Sequence, residues 1–399
     1  MLTSLALIFI VGLAMGAICS RLKLPRIIGM LVTGIVLGPY VLDFLDPSIL
    51  SISEELRKMA LIIILLKAGL SLDIKDLKKA GRPAILLSFV PATCEIIGYI
   101  LFAPAILGIN MIEAAVMGAV LGAVSPAVVG PRMVNLMDRK YGTQKAIPQM
   151  IMAGASCDDI FVIVLFTTFL SMAQGGSAQI LDFVNIPVSI ILGILLGAVV
   201  GYGLYLFFET SYAHKHCVRN SMKVIIVLGF SFLLIAIEGW LKGKISVSGL
   251  LAVVSMACII KMKSTAFVSK RLSEKFGKLW LAAEVMLFVL VGAAIDIRYT
   301  LSAGIAAVLM ILVALIFRAI GVLICMIKTN LTWKERAFCV IAYLPKATVQ
   351  AAIGSVPLAS GLECGKIVLS VAVLAIIITA PLGSIGIDNT YKKFLQKES

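Results

Sequence analysis

Thirteen apolar runs make up almost the whole chain, separated by short stretches that concentrate charge, proline and glycine. Read as helices, they predict spans at 3–20, 26–42, 57–72, 83–107, 111–134, 146–172, 186–208, 222–240, 247–262, 279–297, 301–327, 334–356 and 366–386. Each is near the ~20 residues with which a helix crosses a hydrocarbon core. The connections are too short to hold a regulatory domain.

Composition agrees. The 399 residues are 61% hydrophobic and 14% charged, with a mean hydropathy of +1.08. Soluble domains run at roughly 45–50% apolar and about 25% charged. A soluble enzyme is thereby excluded, and so is intrinsic disorder, which requires low hydrophobicity. What remains is one all-α polytopic membrane unit, 1–399. The first apolar run has no basic residues ahead of it, so no cleavable signal is expected. The eight cysteines form no CxxC, and most lie inside apolar runs, so free buried thiols are expected.

The net charge of +14 would suit a nucleic-acid binder if it formed one patch. It is instead spread over alternate connections. Counting Lys and Arg, 26 lie in one set of connections and the C-terminal tail, six lie in the opposite set, and three (Lys67, Arg318, Lys346) lie inside apolar runs. Basic residues mark cytoplasmic loops. The unbroken alternation predicts 13 spans with the N-terminus outside and the C-terminus in the cytoplasm.

An internal repeat is also present. Residues 68–74 read AGLSLDI and residues 291–297 read VGAAIDI, which aligns Gly69 with Gly292 and Asp73 with Asp296 at an offset of 223. The same offset carries Glu95 onto Arg318 and brings Ser125-Pro126 within a few residues of Pro345-Lys346. The two copies start on opposite sides of the membrane by the charge count. This predicts an inverted repeat, an arrangement common in secondary transporters.

Ionisable side chains at mid-membrane are costly and mark function by default. There are five: Glu95, Asp158, Asp159, Arg318 and Lys346, each about 12 to 17 residues into its span, or roughly 18–25 Å along it. The adjacent pair Asp158–Asp159 is the strongest signal. Neighbouring helix positions point about 100° apart, so one acid meets a helix partner while the other lines a cavity. Carboxylates this close take up a proton or a hard monovalent cation, in competition. Three acids against two bases give the set a formal charge of −1, which one Na⁺ or one H⁺ neutralises. Two runs are interrupted, at Ser125-Pro126 and at Pro345-Lys346-Ala347-Thr348. Proline removes a helix hydrogen bond, and discontinuous helices at the midplane are where transporters place ion sites.

Other features carry less. Lys67 is expected to snorkel to the interface, Glu113 and Glu284 to be interfacial, and His214 and His216 to lie in a solvated loop. Gly193, Gly197 and Gly201, like Gly12 and Gly16, read as close helix packing.

The segments GASCDDI (154–160), SPAVVG (125–130), LLKAGLSLD (65–73) and LPKATVQAAIG (344–354) resemble the sodium–proton antiporters of the cation–proton antiporter superfamily. The likeness covers essentially the whole chain and is closest to the bacterial members of the NHA-type branch, in the superfamily's second subgroup. It implies an NhaA/NapA-like antiporter fold of 13 helices, with inverted repeats and two discontinuous helices that cross. A dimerisation scaffold would come from 1–80 and 210–297, a mobile core from 83–172 and 301–386, and a linker helix from 186–208. The resemblance further implies elevator-like alternating access, a homodimer in the cell membrane, and no cofactor beyond the transported Na⁺ (Li⁺) and H⁺. Carried onto this chain, Asp159 is the principal ion ligand and Asp158 the partner of Lys346. Ser125, Pro126 and Thr348 support the site, and Glu95 with Arg318 forms a second buried pair. Some relatives carry an acid where this chain has Ser125-Pro126.

Na⁺(Li⁺)/H⁺ exchange is therefore the leading expectation. K⁺/H⁺ exchange on the same fold is the alternative. A passive channel fits the acid pair and the intramembrane lysine poorly. A nucleotide-driven pump would need a phosphate loop GxxxxGK[ST], which does not occur. No nucleotide or nucleic-acid partner is expected, only ions and membrane lipid.

Overall fold

A computed structural model of the chain describes residues 1–22, 24–71, 74–175, 180–213, 219–241, 247–296 and 304–398. Asp73, His214, His216 and Cys217 lie outside the described residues. Within the described residues, regular structure is helical, apart from one isolated antiparallel bridge between Tyr141 and Lys397. In chain order the helices are α1 (Leu2–Arg21), α2 (Arg26–Leu37), α3 (Pro47–Ser51), α4 (Ser53–Ser71), α5 (Ile74–Leu87), α6 (Val90–Leu107), α7 (Met111–Leu121), α8 (Pro126–Asp138), α9 (Ile147–Gln174), α10 (Ile180–Ala213), α11 (Asn220–Leu241), α12 (Gly249–Lys263), α13 (Ala266–Ala293), α14 (Gly304–Cys325), α15 (Trp333–Ala342), α16 (Thr348–Ile353), α17 (Val356–Ala359) and α18 (Gly365–Phe394).

Among the described residues nine stretches are long and apolar enough to cross a membrane. The other four apolar runs take a different form. Runs 26–42 and 247–262 hold the short helices α2 and α12, and run 334–356 is divided among α15, α16 and α17. Run 57–72 belongs to α4, which opens with Glu54 and Glu55 in its first turn.

Local chemistry sets the boundaries. Asn110 and Glu113 form a capping box at the start of α7, and Thr332 and Glu335 form another at the start of α15. Each box satisfies two N–H groups that an helix start leaves without partners. Glu113 thus sits at a helix end, as expected. Helix α6 stops at Gly108, whose φ of +69° is the left-handed conformation that glycine tolerates best.

The chain divides into two compact units. One comprises Met1–Arg57, Asp73–Gln174 and Val285–Ser399; the other comprises Lys58–Leu72 and Gly175–Glu284.

In the first unit, α6 packs on α14 with a symmetry that follows the 223-residue offset. A Cβ at Gly98 would lie 2.9 Å from the Phe317 ring, and one at Gly321 would lie 3.1 Å from Cys94 Cβ. Under the offset Gly98 maps onto Gly321 and Cys94 onto Phe317, so the two contacts are images of each other. Gly292 lies against the backbone of Leu31 and Gly34 in the same unit.

In the second unit, Gly69 meets Val254 O and Ala257 Cβ, which the same offset relates to Leu31 and Gly34. The expected small-residue strip packs within this unit: Gly193 lies against Ser248, the N-cap of α12, and Gly197 and Gly201 lie against Ala252 and Met256 of that helix. Lys67 is half-buried, with Nζ 6.0 Å from the Trp280 ring centre. Glu284, expected at an interface, is buried at 6% exposure; it lies more than two turns inside α13, and the apolar run did not reveal where that helix begins.

Among the described residues seven cysteines are thiols outside any disulfide; Cys19, Cys325, Cys339 and Cys364 are buried and Cys94, Cys157 and Cys258 half-buried.

Candidate functional site

The two interrupted runs meet in the first unit. Helix α7 ends at Leu121, residues 122–125 are non-helical, and α8 restarts at Pro126, which fits the first helical position because its missing N–H is not needed there. Likewise α15 ends at Ala342, and α16 restarts at Thr348. The breaks bind each other directly: Ser125 N–H donates to the Pro345 carbonyl at 2.8 Å. The second break is also held by Thr379 on α18, whose hydroxyl accepts the Lys346 N–H at 3.0 Å.

Unwound backbone in a membrane persists only where protein or a lined cavity satisfies it. Here the satisfaction comes from charged and amide side chains. Arg318 on α14 donates through Nε to the Tyr343 carbonyl at 2.5 Å, and through its guanidinium to the Gly122 carbonyl. Lys346 Nζ donates to the Leu121 carbonyl. Gln350 donates to the Ala123 carbonyl at 2.9 Å and accepts from the Ala347 N–H at 2.8 Å.

All five mid-membrane ionisable groups are brought together, each 5% exposed or less. Glu95 on α6 pairs with Arg318 NH1 at 2.7 Å, as expected for the second buried pair. Its carboxylate also takes Lys346 Nζ, at 2.8 Å. This corrects the expected Asp158–Lys346 pair. Asp158 instead binds Arg318 NH2 at 3.2 Å and the Val124 N–H at 2.8 Å, both through Oδ2. The reason is geometric. Lys346 reaches the end of α7 at Leu121, where Glu95 is the carboxylate at hand, while the guanidinium, with five donors in a fixed fork, spans Glu95 and Asp158 at once.

Asp158 and Asp159 differ in their partners. Asp158 takes the helix-side partners. Asp159 is 5% exposed, and its Oδ1 is buried with no hydrogen-bond partner among the described residues. Asp158 Oδ1, Ser125 Oγ and Thr348 Oγ1 are buried and unpartnered in the same sense. Ser125 and Thr348 are related by the 223-residue offset, one at each restart. Buried polar atoms without partners are rare, and carboxylate and hydroxyl oxygens are the donor types that take a hard cation or a proton.

Sequence reasoning did not find Gln350, although it stands inside the motif PKATVQAA. It is uncharged, so it does not stand among the ionisable side chains whose cost marks mid-membrane positions. Nor did it find Tyr343, which is fully buried with its ring 5.7 Å from the Arg318 guanidinium carbon and its hydroxyl against Gly154, one turn before Asp158.

Comparison with known proteins follows the same lines. The family model described as "Sodium/hydrogen exchanger, transmembrane" matches residues 5–393. The chain is 34% identical over 394 residues to the human protein "Sodium/hydrogen exchanger 9B2", covering 94% of this chain and 70% of that one. It is 33% identical to the 9B2 protein of Xenopus tropicalis, covering 98% and 74%. Its fold is similar to that of the sodium proton antiporter MjNhaP1 from Methanocaldococcus jannaschii, with a TM-score of 0.84, 20% identity and 98% of both chains covered.

Proposed function

We infer the transport reaction from one premise: the chain belongs to the sodium/hydrogen exchanger family. It is a multi-pass membrane protein whose reaction is the exchange of Na⁺ for H⁺. We propose that the exchange takes place at Asp158 and Asp159, which hold Na⁺ (or Li⁺) and H⁺ in turn. The observation that carries this is the buried, unpartnered Oδ1 of Asp159 beside a crossing whose Ser125 and Thr348 hydroxyls are also unpartnered. A carboxylate that carries a proton no longer attracts a cation, so one ion displaces the other and the two fluxes are coupled.

The cycle is one Na⁺ for one H⁺. Glu95, Asp158 and Asp159 against Arg318 and Lys346 leave one negative charge, which either ion cancels alone. Lys346 is held by Glu95 rather than by Asp158, so Na⁺ binding at the aspartates need not displace it, which supports the one-for-one count.

The remaining features of the reading are these. Thirteen crossings place the N-terminus outside and the C-terminus in the cytoplasm, in the cell membrane. A core from 83–172 and 301–386 moves as an elevator against a scaffold from 1–80 and 210–297, with 186–208 as the linking helix, in a homodimer. The branch is the NHA type and the source bacterial. The adjacent aspartates and PKATVQAA support the branch, and the offset-related packing of α6 on α14 supports an inverted repeat.

The test is exchange by purified protein in proteoliposomes. Asp159→Asn abolishes it, because an amide cannot trade a proton for a cation, and Asp158→Asn impairs it severely. Wild-type exchange by Asp159→Asn would remove the site assignment. A Na⁺-dependent proton flux that follows an imposed membrane potential would remove the electroneutral cycle.

A further inference from the structure

At the end of α7 the carbonyls of Leu121, Gly122 and Ala123 lie where a helix leaves its last acceptors without backbone donors, at the negative end of its dipole. All three are taken by side chains from the second repeat. Leu121 O accepts from Lys346 Nζ and, at 3.4 Å, from Gln350 Nε2; Gly122 O accepts from Arg318; Ala123 O accepts from Gln350 Nε2 at 2.9 Å.

Two of these donors are cations that belong to the buried charge network. Gln350 is different. It is uncharged, 1% exposed, and bonded only to backbone among the described residues. Its amide is used at both ends. Oε1 accepts the Ala347 N–H of the second break at 2.8 Å, while Nε2 holds the carbonyls of the first. Among side chains only an amide offers an acceptor and a two-proton donor in one plane. The 223-residue offset places Ala127 opposite Gln350 and Ala123 opposite Lys346, so the first repeat has no equivalent link.

We propose that Gln350 is a positioning residue of the transport site. Its amide fastens the two unwound segments to each other and fixes the register in which the Ser125 and Thr348 hydroxyls stand at the crossing. It also occupies the Leu121 and Ala123 carbonyls, oxygens of the kind that coordinate Na⁺ in discontinuous transporter helices. The transported cation is thereby left to the two aspartates and the two hydroxyls. This role rests on the Na⁺/H⁺ reading of the same site.

The experiment uses the full-length protein in proteoliposomes, with initial rates measured against Na⁺ concentration and pH and normalised to monodisperse protein. Gln350→Met keeps the length of the side chain and removes both donor and acceptor, leaving the Ala123 carbonyl and Ala347 N–H without partners. The apparent KM for Na⁺ rises about tenfold. Gln350→Glu retains one donor and one acceptor while protonated and loses the donor on ionisation. Its kcat/KM relative to wild type therefore falls as pH rises, whereas the ratio for Gln350→Met does not vary. A role in folding alone would lower the yield of carrier without moving KM or giving that pH dependence.

A Gln350→Met KM within about twofold of wild type, or a Gln350→Glu ratio constant across pH, overturns the proposal. Should Gln350→Met not be recovered as monodisperse protein, the Gln350→Glu profile decides. Asp159→Asn measured in parallel keeps the two readings apart, since wild-type exchange by that variant overturns the aspartate site whatever the Gln350 variants do.

Discussion

Glu95 is the most heavily engaged acid in the network, and its removal can be priced from the structure. Glu95→Ala deletes the bonds from Arg318 NH1 at 2.7 Å and Lys346 Nζ at 2.8 Å, both fully buried. Hydrogen bonds to charged groups are worth about 1.5–3 kcal/mol each, so two give about 3–6 kcal/mol. Breaking a buried ion pair from one side costs about 3–5 kcal/mol by an independent route. The ranges overlap, and about 3–5 kcal/mol is the expected loss. Arg318→Ala should cost more. It strands the Tyr343 and Gly122 carbonyls as well as Glu95 and Asp158. In Glu95→Ala/Arg318→Ala the shared bond is lost only once, so the double variant should be milder than the sum by at least about 1 kcal/mol. Equilibrium unfolding of the purified protein in denaturing detergent, followed by tryptophan fluorescence, yields the four free energies of the cycle. A double loss equal to the sum within about 0.5 kcal/mol would show that the two side chains do not interact directly.

Gly154→Ala would press a methyl group onto the Tyr343 hydroxyl and to 2.7 Å from Leu87 Cβ; it should cost about 1–3 kcal/mol and slow exchange, both measurable on the same preparation. Glu335→Ala loses a capping box and the 2.8 Å pair with Lys145, for about 2–4 kcal/mol. Glu335→Gln, which can still cap, should lose about half as much, and equal melting points for the two would refute that order. Asp46 caps α3, and the Ser48 hydroxyl and amide hold its carboxyl down to about 2. Its contribution is complete above the ordinary carboxylate range and is lost as pH falls towards 2. Melting points taken from pH 5 to 2 should therefore fall further for wild type than for Asp46→Asn, and parallel curves would contradict the assignment.

What the sequence disclosed and what it hid divide along physical lines. Burying a charge in a membrane costs so much that Glu95, Asp158, Asp159, Arg318 and Lys346 stand out against any apolar background. Prolines at 126 and 345 mark breaks because a missing N–H is a local fact. The repeat was visible through Gly69 and Gly292, where close backbone approach admits no side chain, and its offset then related contacts such as Gly98 on Phe317 that no motif announced. The choice of partner was not legible. Lys346 could meet Asp158 or Glu95 on charge alone, and the decision rests on where the Leu121 carbonyl ends up in three dimensions. Backbone acceptors leave no mark in a sequence, so Gln350, which serves them, read as one more polar residue. Helix α2 ends at Leu37, short of the apolar run 26–42, because hydropathy does not register where a chain stops winding.

The sites's wiring has a consequence for how the protein is made. Glu95, Asp158 and Asp159 all precede Arg318, and Arg318 is separated from Glu95 by 223 positions and from Asp158 by 160. At about 5–20 residues per second, a ribosome takes on the order of ten to thirty seconds to pass from Asp158 to Arg318. Through that interval three acids have been delivered to the bilayer and neither of their bases exists. The half-made chain, rather than the finished one, is the species most exposed to quality control, and a stop codon or ribosomal stall between 160 and 318 would release a polypeptide whose intramembrane acids lack both of their cationic partners.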